Sequence, residues 1–180
     1  MVKSSVNKIF YSYSYIIDHI IFVDPGDKWE FEGVKTVLLT HGHFDHIYGL
    51  NELLKVSPQA IVYTNQAGKE MLLDARKNMS FYQGEPFVFE LPECIRIVED
   101  GEEIDLGDGV MAKAVFTPGH NPSCITWIIE DAIFTGDAFI PGIKTITNLP
   151  GGDKAAAKLS EELIKKLAEG KNIYPGHHTE

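Results

Sequence analysis

The run HGHFDH, from His41 to His46, places three imidazoles and one carboxylate directly after the apolar stretch Val37–Leu39. Residues at alternate positions at a strand end point the same way, so His41 and His43 can share one metal ion. If the chain then turns into a helix, Asp45 and His46 face a neighbouring point where a second ion can bind. Neutral imidazole and carboxylate ligands suit zinc, and they also suit iron or manganese. The run therefore predicts a metal centre at the end of a buried strand.

Three later segments present a His or Asp just beyond an apolar run, after a glycine that lets the backbone turn closely. They are Thr117–His120, Phe134–Asp137 and Tyr174–His177. The first two follow strand-like runs at Met111–Phe116 and Ile125–Ile133. A fourth turn, Asp24–Asp27, follows the apolar run Ile20–Val23. These segments predict further ligand-bearing strand ends.

This ordered set of motifs resembles the metallo-β-lactamase superfamily over nearly the whole chain. The resemblance implies an α+β fold: an αββα sandwich of two mixed β-sheets flanked by helices, built as one domain over residues 1–180. Within the superfamily, Thr147–Asp153 resembles the short hydroxyacylglutathione hydrolase (glyoxalase II-like) enzymes. Longer glyoxalase II enzymes add a C-terminal helical region that binds glutathione, whereas this sequence ends at Glu180. Small thioesters, esters and lactones therefore all stay open as substrates.

The resemblance also implies ligands for two divalent ions, zinc foremost, with iron or manganese as alternatives. It gives the first ion His41, His43 and His120. It gives the second ion Asp45, His46 and His177, with Asp137 bridging the two. Asp45 and Asp137 are the expected catalytic residues, which position the attacking water and pass its proton onward.

The expected reaction follows from what such ions do to water. Zinc can lower the pKa of bound water to about 7, so that hydroxide becomes available at neutral pH. One ion polarises the carbonyl oxygen of the substrate, while the other steadies the leaving group. We therefore expect a metallo-hydrolase that cleaves a thioester, ester or lactone of a small molecule, without a serine or cysteine nucleophile.

Two other functions stay open at this point. A mononuclear iron dioxygenase of the persulfide-oxidising type has a similar sequence, and His41, His120 and Asp137 resemble its two-histidine, one-carboxylate ligand set. A catalytically idle metal- or partner-binding module is the third hypothesis, and its expected mark is a missing ligand. Antibiotic hydrolysis is less favoured, because zinc β-lactamases carry cysteine where this chain has Asp137.

Composition agrees with a compact enzyme that acts on a small molecule. The chain has 180 residues and a formal net charge of −10. This charge argues against broad attraction to nucleic acid or to an anionic membrane. The N-terminus lacks the apolar core of a signal peptide, and no stretch approaches the roughly 20 apolar residues that span a bilayer. We therefore expect a cytoplasmic location, with no nucleic-acid or membrane partner, and leave the oligomeric state open.

Several single residues carry secondary expectations. The two cysteines, Cys94 and Cys124, form no disulfide framework, and Cys124 is expected to be a small buried packing residue near the site. His19 is expected in an exposed turn. His178 is expected beside the ligands or facing solvent, where it could compete with His177. Lys144 is a candidate anion contact by position.

Periodicity predicts the regular elements. Strands are expected at Ile9–Tyr15, Ile20–Val23, Val34–Leu39 and Ile61–Tyr63, and helices at Asp45–Lys55, Asn65–Lys77 and Lys154–Ala168. Asp153 is the expected N-cap of the last helix. Its expected core-facing stripe is Leu159, Leu163, Ile164 and Leu167, and the expected packed tyrosine face is Tyr11, Tyr13 and Tyr15.

Three segments between these elements are expected to be irregular or short. Phe81–Pro92 fits either another strand or a loop that carries aromatic residues over the metal site. Glu99–Glu103 is expected to be a solvated hairpin connection. Asp105–Gly109 is expected to be a turn, because Asp-Gly pairs favour that geometry.

Overall fold

Six strands form the first sheet of the protein, whose computed structural model describes residues 1–27 and 32–178. In chain order the strands are β1 (Val2–Val6), β2 (Tyr13–Ile17), β3 (Ile21–Val23), β4 (Thr36–Leu38), β5 (Ile61–Thr64) and β6 (Ile95–Ile97). They lie in this same order across the sheet. The pairs from β1 to β3 are antiparallel, and the pairs from β3 to β6 are parallel. The sheet is therefore mixed.

Five strands form the second sheet. They are β7 (Glu103–Asp105), β8 (Met111–Phe116), β9 (Ile125–Ile129), β10 (Ala132–Gly136) and β11 (Asn172–Pro175). Their order is β11-β10-β9-β8-β7, with antiparallel pairs from β7 to β10. Only β10 and β11 pair parallel within this sheet, so it is mixed as well.

The α-helices cover the outer faces of the two sheets. They are α1 (Phe44–Ile47), α2 (Leu50–Val56), α3 (Gln66–Leu72) and α4 (Lys154–Leu167). Leu53 and Leu54 of α2 share a buried cluster with Phe22 of the first sheet. Ile164 of α4 shares another with Ile133 of the second sheet. The predicted αββα sandwich of two mixed sheets is confirmed.

The main core lies between the two sheets. Val23 and Leu38 of the first sheet cluster there with Trp127 and Phe134 of the second. Neighbouring residues along a strand face opposite sides, so one strand can serve both the inner core and an outer helix. The Trp127 indole also donates a hydrogen bond of 2.9 Å to the carbonyl oxygen of Leu39. This bond ties the second sheet to Leu39, two residues before the histidine-rich run.

The first predicted strand begins later than the alternation indicates. Phe10 and Tyr11 are left-handed, with φ of 52° and 55°, and the chain turns before β2 starts at Tyr13. Tyr11 is 71% exposed, whereas Tyr15 is buried. The predicted packed face of three tyrosines is therefore wrong at Tyr11, because the strand pattern does not extend that far.

The helix predicted over Asp45–Lys55 is two helices, because Gly49 interrupts it. A Cβ atom at Gly49 would lie 1.5 Å from the carbonyl oxygen of Asp27. Because glycine has no Cβ atom, the chain between α1 and α2 can approach the backbone of the turn that follows β3. The helix predicted over Asn65–Lys77 is also shorter, because α3 ends at Leu72.

Two connections differ from the predictions. The run Ile125–Ile133 is not one strand: β9 and β10 are joined by a turn in which Glu130 has φ of 51°. Glu99–Glu103 is not a hairpin, because it leads from β6 in the first sheet to β7 in the second. The Asp105–Gly109 turn is confirmed between the antiparallel strands β7 and β8.

The predicted apolar stripe of α4 is confirmed at Ile164, which is buried, and at Leu167, which packs against the same cluster, but it is wrong at Leu159 and Leu163. Leu159 is 68% exposed, and Leu163 is exposed as well. The buried residues of this helix are Ala157, Ser160 and Ile164. Small residues face the sheet because α4 lies close to the backbone of Gly119, where an added Cβ would meet Ala157 at 2.3 Å.

The segment Phe81–Pro92 forms no strand of either sheet. A 3-10 helix spans Ser80–Gln83, and an irregular stretch follows in which Phe87 and Phe89 are buried. Phe81 and Tyr82 are exposed.

Within the described part of the chain, no helix combines the length and the apolar character needed to cross a bilayer.

The N-cap of α4 gives a direct test of local stability. The Asp153 carboxylate accepts hydrogen bonds from the backbone N–H groups of Ala155 and Ala156, at 2.8 and 3.0 Å. Because removal of such a cap costs about 1 kcal/mol, D153A should lower the free energy of unfolding by that amount. D153N should keep most of it, since an amide oxygen also accepts. Chemical denaturation of the wild type and both variants measures the free energy of unfolding. A D153A denaturation midpoint equal to that of the wild type would contradict the capping role.

Candidate metal centre

The histidine-rich run occupies the turn between β4 and the first helix. His41 and His43 lie in the loop after β4, while Asp45 and His46 lie in α1. All four side chains are buried. The predicted change from strand end to helix is therefore confirmed: His41 and His43 precede the helix, and Asp45 and His46 lie within it.

The three later segments bring their ligand-type residues to the same place. His120 follows β8, Asp137 follows β10 directly, and His177 follows β11. Donor atoms of His41, His43 and His120 lie within 4.8 Å of one another. The closest approach is 2.9 Å, between His120 Nε2 and His43 Nδ1. This first donor group joins the two sheets.

A second donor group lies beside the first. Donor atoms of Asp45, His46 and His177 also lie within 4.8 Å of one another. Asp45 Oδ2 is 3.5 Å from His46 Nε2 and 3.3 Å from His177 Nε2. The two imidazole Nε2 atoms are 3.3 Å apart.

Asp137 lies between the two donor groups. Its Oδ2 atom is 3.5 Å from His120 Nε2 and 4.0 Å from His41 Nε2. The same oxygen is 3.3 Å from His177 Nε2, and Oδ1 is 3.5 Å from His46 Nε2. One carboxylate thus approaches both groups, and all seven residues named from the sequence converge.

The donor atoms fit divalent metal ions. Among the described residues, buried His41 Nε2, His43 Nε2 and Asp137 Oδ1 have no hydrogen-bond partner. Such atoms are costly to bury unless a partner satisfies them. A divalent cation supplies that partner, because imidazole nitrogen and carboxylate oxygen are common ligands of zinc and iron.

Burial keeps part of the first group neutral. Burial, together with the neighbouring His120, lowers the pKa of His43 to about 4. Burial likewise lowers the pKa of His41 well below its usual value, and nearby His46 adds to the effect. Neutral imidazole is the form that binds metal ions.

The second group is governed by its carboxylates. Burial lowers the pKa of His46, but Asp45 and Asp137 outweigh it and raise the pKa to about 9. The same two carboxylates overcome burial at His177 and raise its pKa to about 10. Positive charge is therefore strongly stabilised at this position, and a divalent ion can provide it in place of the two protons.

Asp24 orients His46, a role that the sequence analysis did not assign. The Asp24 carboxylate accepts hydrogen bonds from the backbone N–H of Thr40 at 2.7 Å and from its hydroxyl. His46 Nδ1 lies 3.1 Å from Asp24 Oδ2, so its N–H donates there and leaves Nε2 facing the donor groups. Asp24 also lies close enough to His41 and His46 to share a metal ion with them. Its two oxygens already accept the hydrogen bonds just described, so we assign it to orientation of His46 rather than to metal binding. The signal available in the sequence was the Asp-Pro-Gly turn after β3.

Backbone carbonyls orient two further histidines. His120 Nδ1 donates to the carbonyl oxygen of Ile146 at 2.8 Å, and His177 Nδ1 donates to that of Phe10 at 3.0 Å. Because a carbonyl only accepts, each Nε2 keeps its lone pair for a metal ion. Sequence spacing gives no sign of these partners.

The loop before β2 supports the second donor group through a network of hydrogen bonds. The Ser12 hydroxyl donates to the carbonyl oxygen of Asp45 at 2.7 Å. The buried Asn7 amide donates in turn to the hydroxyls of Ser12 and Ser14, at 3.0 and 2.9 Å. This network holds the left-handed turn whose Phe10 carbonyl orients His177.

A cavity of about 450 Å³ opens onto the donor groups. Five of the ligand-type residues line it: His43, Asp45, His120, Asp137 and His177. The other lining residues are Phe10, Phe44, Met79, Gln83, Ile140, Ile143, Lys144, Thr145, Ile146 and Leu149. Phe81 and Tyr82 are not among them, so the predicted aromatic cover of the metal site is wrong.

The remaining single-residue expectations have clear outcomes. His178 is exposed and its Nδ1 lies 2.6 Å from the Tyr13 hydroxyl, outside the donor groups. Cys124 is buried beside Ile133 and Ile164, and burial raises its pKa to about 12. Its predicted packing role is confirmed. His19 is exposed, as predicted.

The chain belongs to the metallo-beta-lactamase superfamily, because the model of that family matches residues 12–177. It is 33% identical over 147 residues to the probable metallo-hydrolase YqgX of Bacillus subtilis, covering 80% of this chain and 68% of the relative. It is 28% identical over 133 residues to a hydroxyacylglutathione hydrolase of Idiomarina loihiensis, covering 69% of this chain but only 44% of that enzyme. This chain thus spans less than half of the latter relative.

A solved structure supports the fold independently. The crystal structure of the BLEG-1 B3 metallo-beta-lactamase superposes with a TM-score of 0.83 at 22% sequence identity. The match covers 99% of this chain and 92% of the other. At this identity the likeness concerns the fold.

Because the Asp24 carboxylate orients His46, removal of its charge should weaken metal binding. In D24N an amide N–H₂ faces the N–H of His46, so the imidazole loses its acceptor and its fixed tautomer. Loss of such a partner typically costs 10–100-fold in metal affinity, roughly the decrease expected here. Competition with a chromophoric chelator measures it, with D18N at an exposed aspartate as control. Unchanged zinc affinity in D24N would contradict this role.

Thiol accessibility tests the packing around the centre. Native protein at pH 8 should react with a disulfide reagent at Cys94, which is half-buried, and not at Cys124. Because the pKa of Cys124 is raised, its side chain stays protonated at pH 8, and only a thiolate attacks the disulfide reagent. In denaturant both should react. Fast labelling of Cys124 in a native C94A variant would be inconsistent with the buried cluster.

Proposed function

We propose that the protein is a metal-dependent hydrolase that cleaves a thioester, ester or lactone of a small molecule at a centre of two divalent zinc ions. The observation that carries the proposal is the position of Asp137, whose two oxygens approach both donor groups. A cavity of small-molecule size opens onto the same carboxylate. The similarity to a hydroxyacylglutathione hydrolase supports acyl hydrolysis.

Metal ions bound by these residues would supply a lowered water pKa, near 7 for zinc, and Lewis acidity towards a carbonyl oxygen. His41, His43 and His120 would hold one ion, and Asp45, His46 and His177 the other. Asp137 would bind both. The Asp24 carboxylate and the carbonyls of Phe10 and Ile146 would keep the imidazoles in the ligating tautomer.

Two carboxylates would handle the proton. Asp45 Oδ2 and Asp137 Oδ2 both lie 3.3 Å from His177 Nε2, so they converge on one small volume. An attacking water beside these oxygens would be oriented by hydrogen bonds to the two carboxylates, which would pass its proton onward. The apolar walls of the cavity would exclude bulk water from the acyl carbon.

The second donor group favours two ions over one. A mononuclear iron dioxygenase requires a two-histidine, one-carboxylate set, which His41, His120 and Asp137 alone would supply. Such a mechanism would use none of Asp45, His46 and His177 as metal ligands. A catalytically idle module is also less favoured, because every residue of the predicted ligand set is present and converges on this site.

Replacement of Asp137 tests the proposal. D137A should lower kcat/KM for a thioester by at least the roughly 10²–10⁴-fold that loss of acid–base catalysis costs, because it also removes a shared ligand. The assay uses purified protein of measured metal content with S-lactoylglutathione and simple acyl thioesters. E162A, at an exposed residue of α4, is the control. Full activity in metal-verified D137A would refute the proposed function.

A further inference from the structure

The walls of the cavity are far more apolar than its floor. The floor is the His and Asp donor cluster, whereas Phe10, Ile140, Ile143, Ile146 and Leu149 form much of the wall. Several of these side chains are unusually exposed: Phe10 by 58%, Ile143 by 47% and Ile146 by 53%. Exposed apolar residues that gather around one cavity mark a binding surface rather than chance exposure.

Few polar side chains are available on this wall. Apart from the donor cluster, the polar lining residues are Gln83, Lys144 and Thr145. The Thr145 hydroxyl is already used, since it donates to the carbonyl oxygen of Ala138 at 3.2 Å. A hydroxyl on the acyl chain of a substrate would therefore lose water and find few partners, which is unfavourable.

We propose that the cavity selects an apolar acyl group, so that the substrates are thioesters or esters of unsubstituted alkyl or aryl acids rather than of hydroxy acids. This inference rests on the proposed hydrolase function and specifies its substrate class. The acyl carbon lies over Asp137 and the His cluster, and the hydrocarbon chain lies against Ile143 and Phe10. Burial of that chain supplies the binding energy, because transfer of apolar surface from water is favourable.

A series of N-acetylcysteamine thioesters isolates the acyl group, because the leaving group stays constant and uncharged. Acyl chains from acetyl to decanoyl are assayed with the metal-loaded protein. kcat/KM should rise about fourfold per methylene until the cavity is filled, as expected from hydrophobic transfer. The propionyl thioester should also be cleaved faster than its lactoyl counterpart, which differs only by one hydroxyl.

Two variants assign the effect to the cavity wall. I143N should flatten the dependence of kcat/KM on acyl chain length. L159N introduces the same residue at an exposed leucine of α4 that does not line the cavity, and it should keep the wild-type dependence. A flat wild-type series, or a preference for the lactoyl thioester, would overturn the inference and leave the hydrolase proposal intact.

Direct binding keeps the two proposals separable. If no thioester, ester or lactone is cleaved, the proposed function fails. Calorimetric titration of the metal-loaded protein with decanoate and acetate then still tests the cavity. Tighter binding of decanoate, weakened by I143N but not by L159N, would support an apolar acyl site. Equal affinity for the two carboxylates would overturn it.

Discussion

The structure depends on the compensation of charge around Asp137. Five imidazoles and the carboxylates of Asp45 and Asp137 are gathered in a largely buried position, where an uncompensated ion is costly. The opposed pKa shifts express this balance: burial keeps His43 neutral, whereas the carboxylates hold positive charge at His46 and His177. Bound metal would satisfy both sides at once, since it takes neutral imidazoles as ligands and neutralises carboxylates.

The scaffold serves this balance by bringing donors together from several elements of both sheets. The donors come from the turn after β4 and from the ends of β8, β10 and β11, so no single helix or strand forms the site. Close backbone approach is essential at Gly176, where a Cβ would lie 2.1 Å from Asp137 Oδ1. The Trp127–Leu39 hydrogen bond joins the sheets next to the histidine-rich run. Packing between the sheets thus sets the spacing of the donor groups.

Local patterns made most of this predictable. The HGHFDH run fixes its own geometry because a strand end and a helix start dictate where neighbouring side chains point. The αββα layering and the N-cap Asp153 were likewise readable from sequence. The exposure of Leu159 was not, because helical periodicity alone does not reveal that α4 lies close to Gly119 and turns its small residues inward.

Contacts that depend on irregular backbone were beyond sequence reasoning. The carbonyls of Phe10 and Ile146 orient two histidines of the donor groups only because their loops fold back over the site. Period-two alternation even placed Phe10 in a strand, whereas its φ of 52° makes a turn. Asp24 was visible as part of a motif, but its hydrogen bond to His46 spans distant sequence positions. Tertiary proximity, rather than local propensity, decides these roles.

The metal stoichiometry of the purified protein tests the central claim most directly. Elemental analysis of the zinc-loaded wild type should give two ions per chain, and H46A should retain one, because its substitution removes a donor from the second group only. Two ions in the wild type and one in H46A would support a dinuclear centre shared through Asp137. A single iron per chain that is unaffected by H46A, together with oxygen uptake in the presence of a persulfide, would contradict the account.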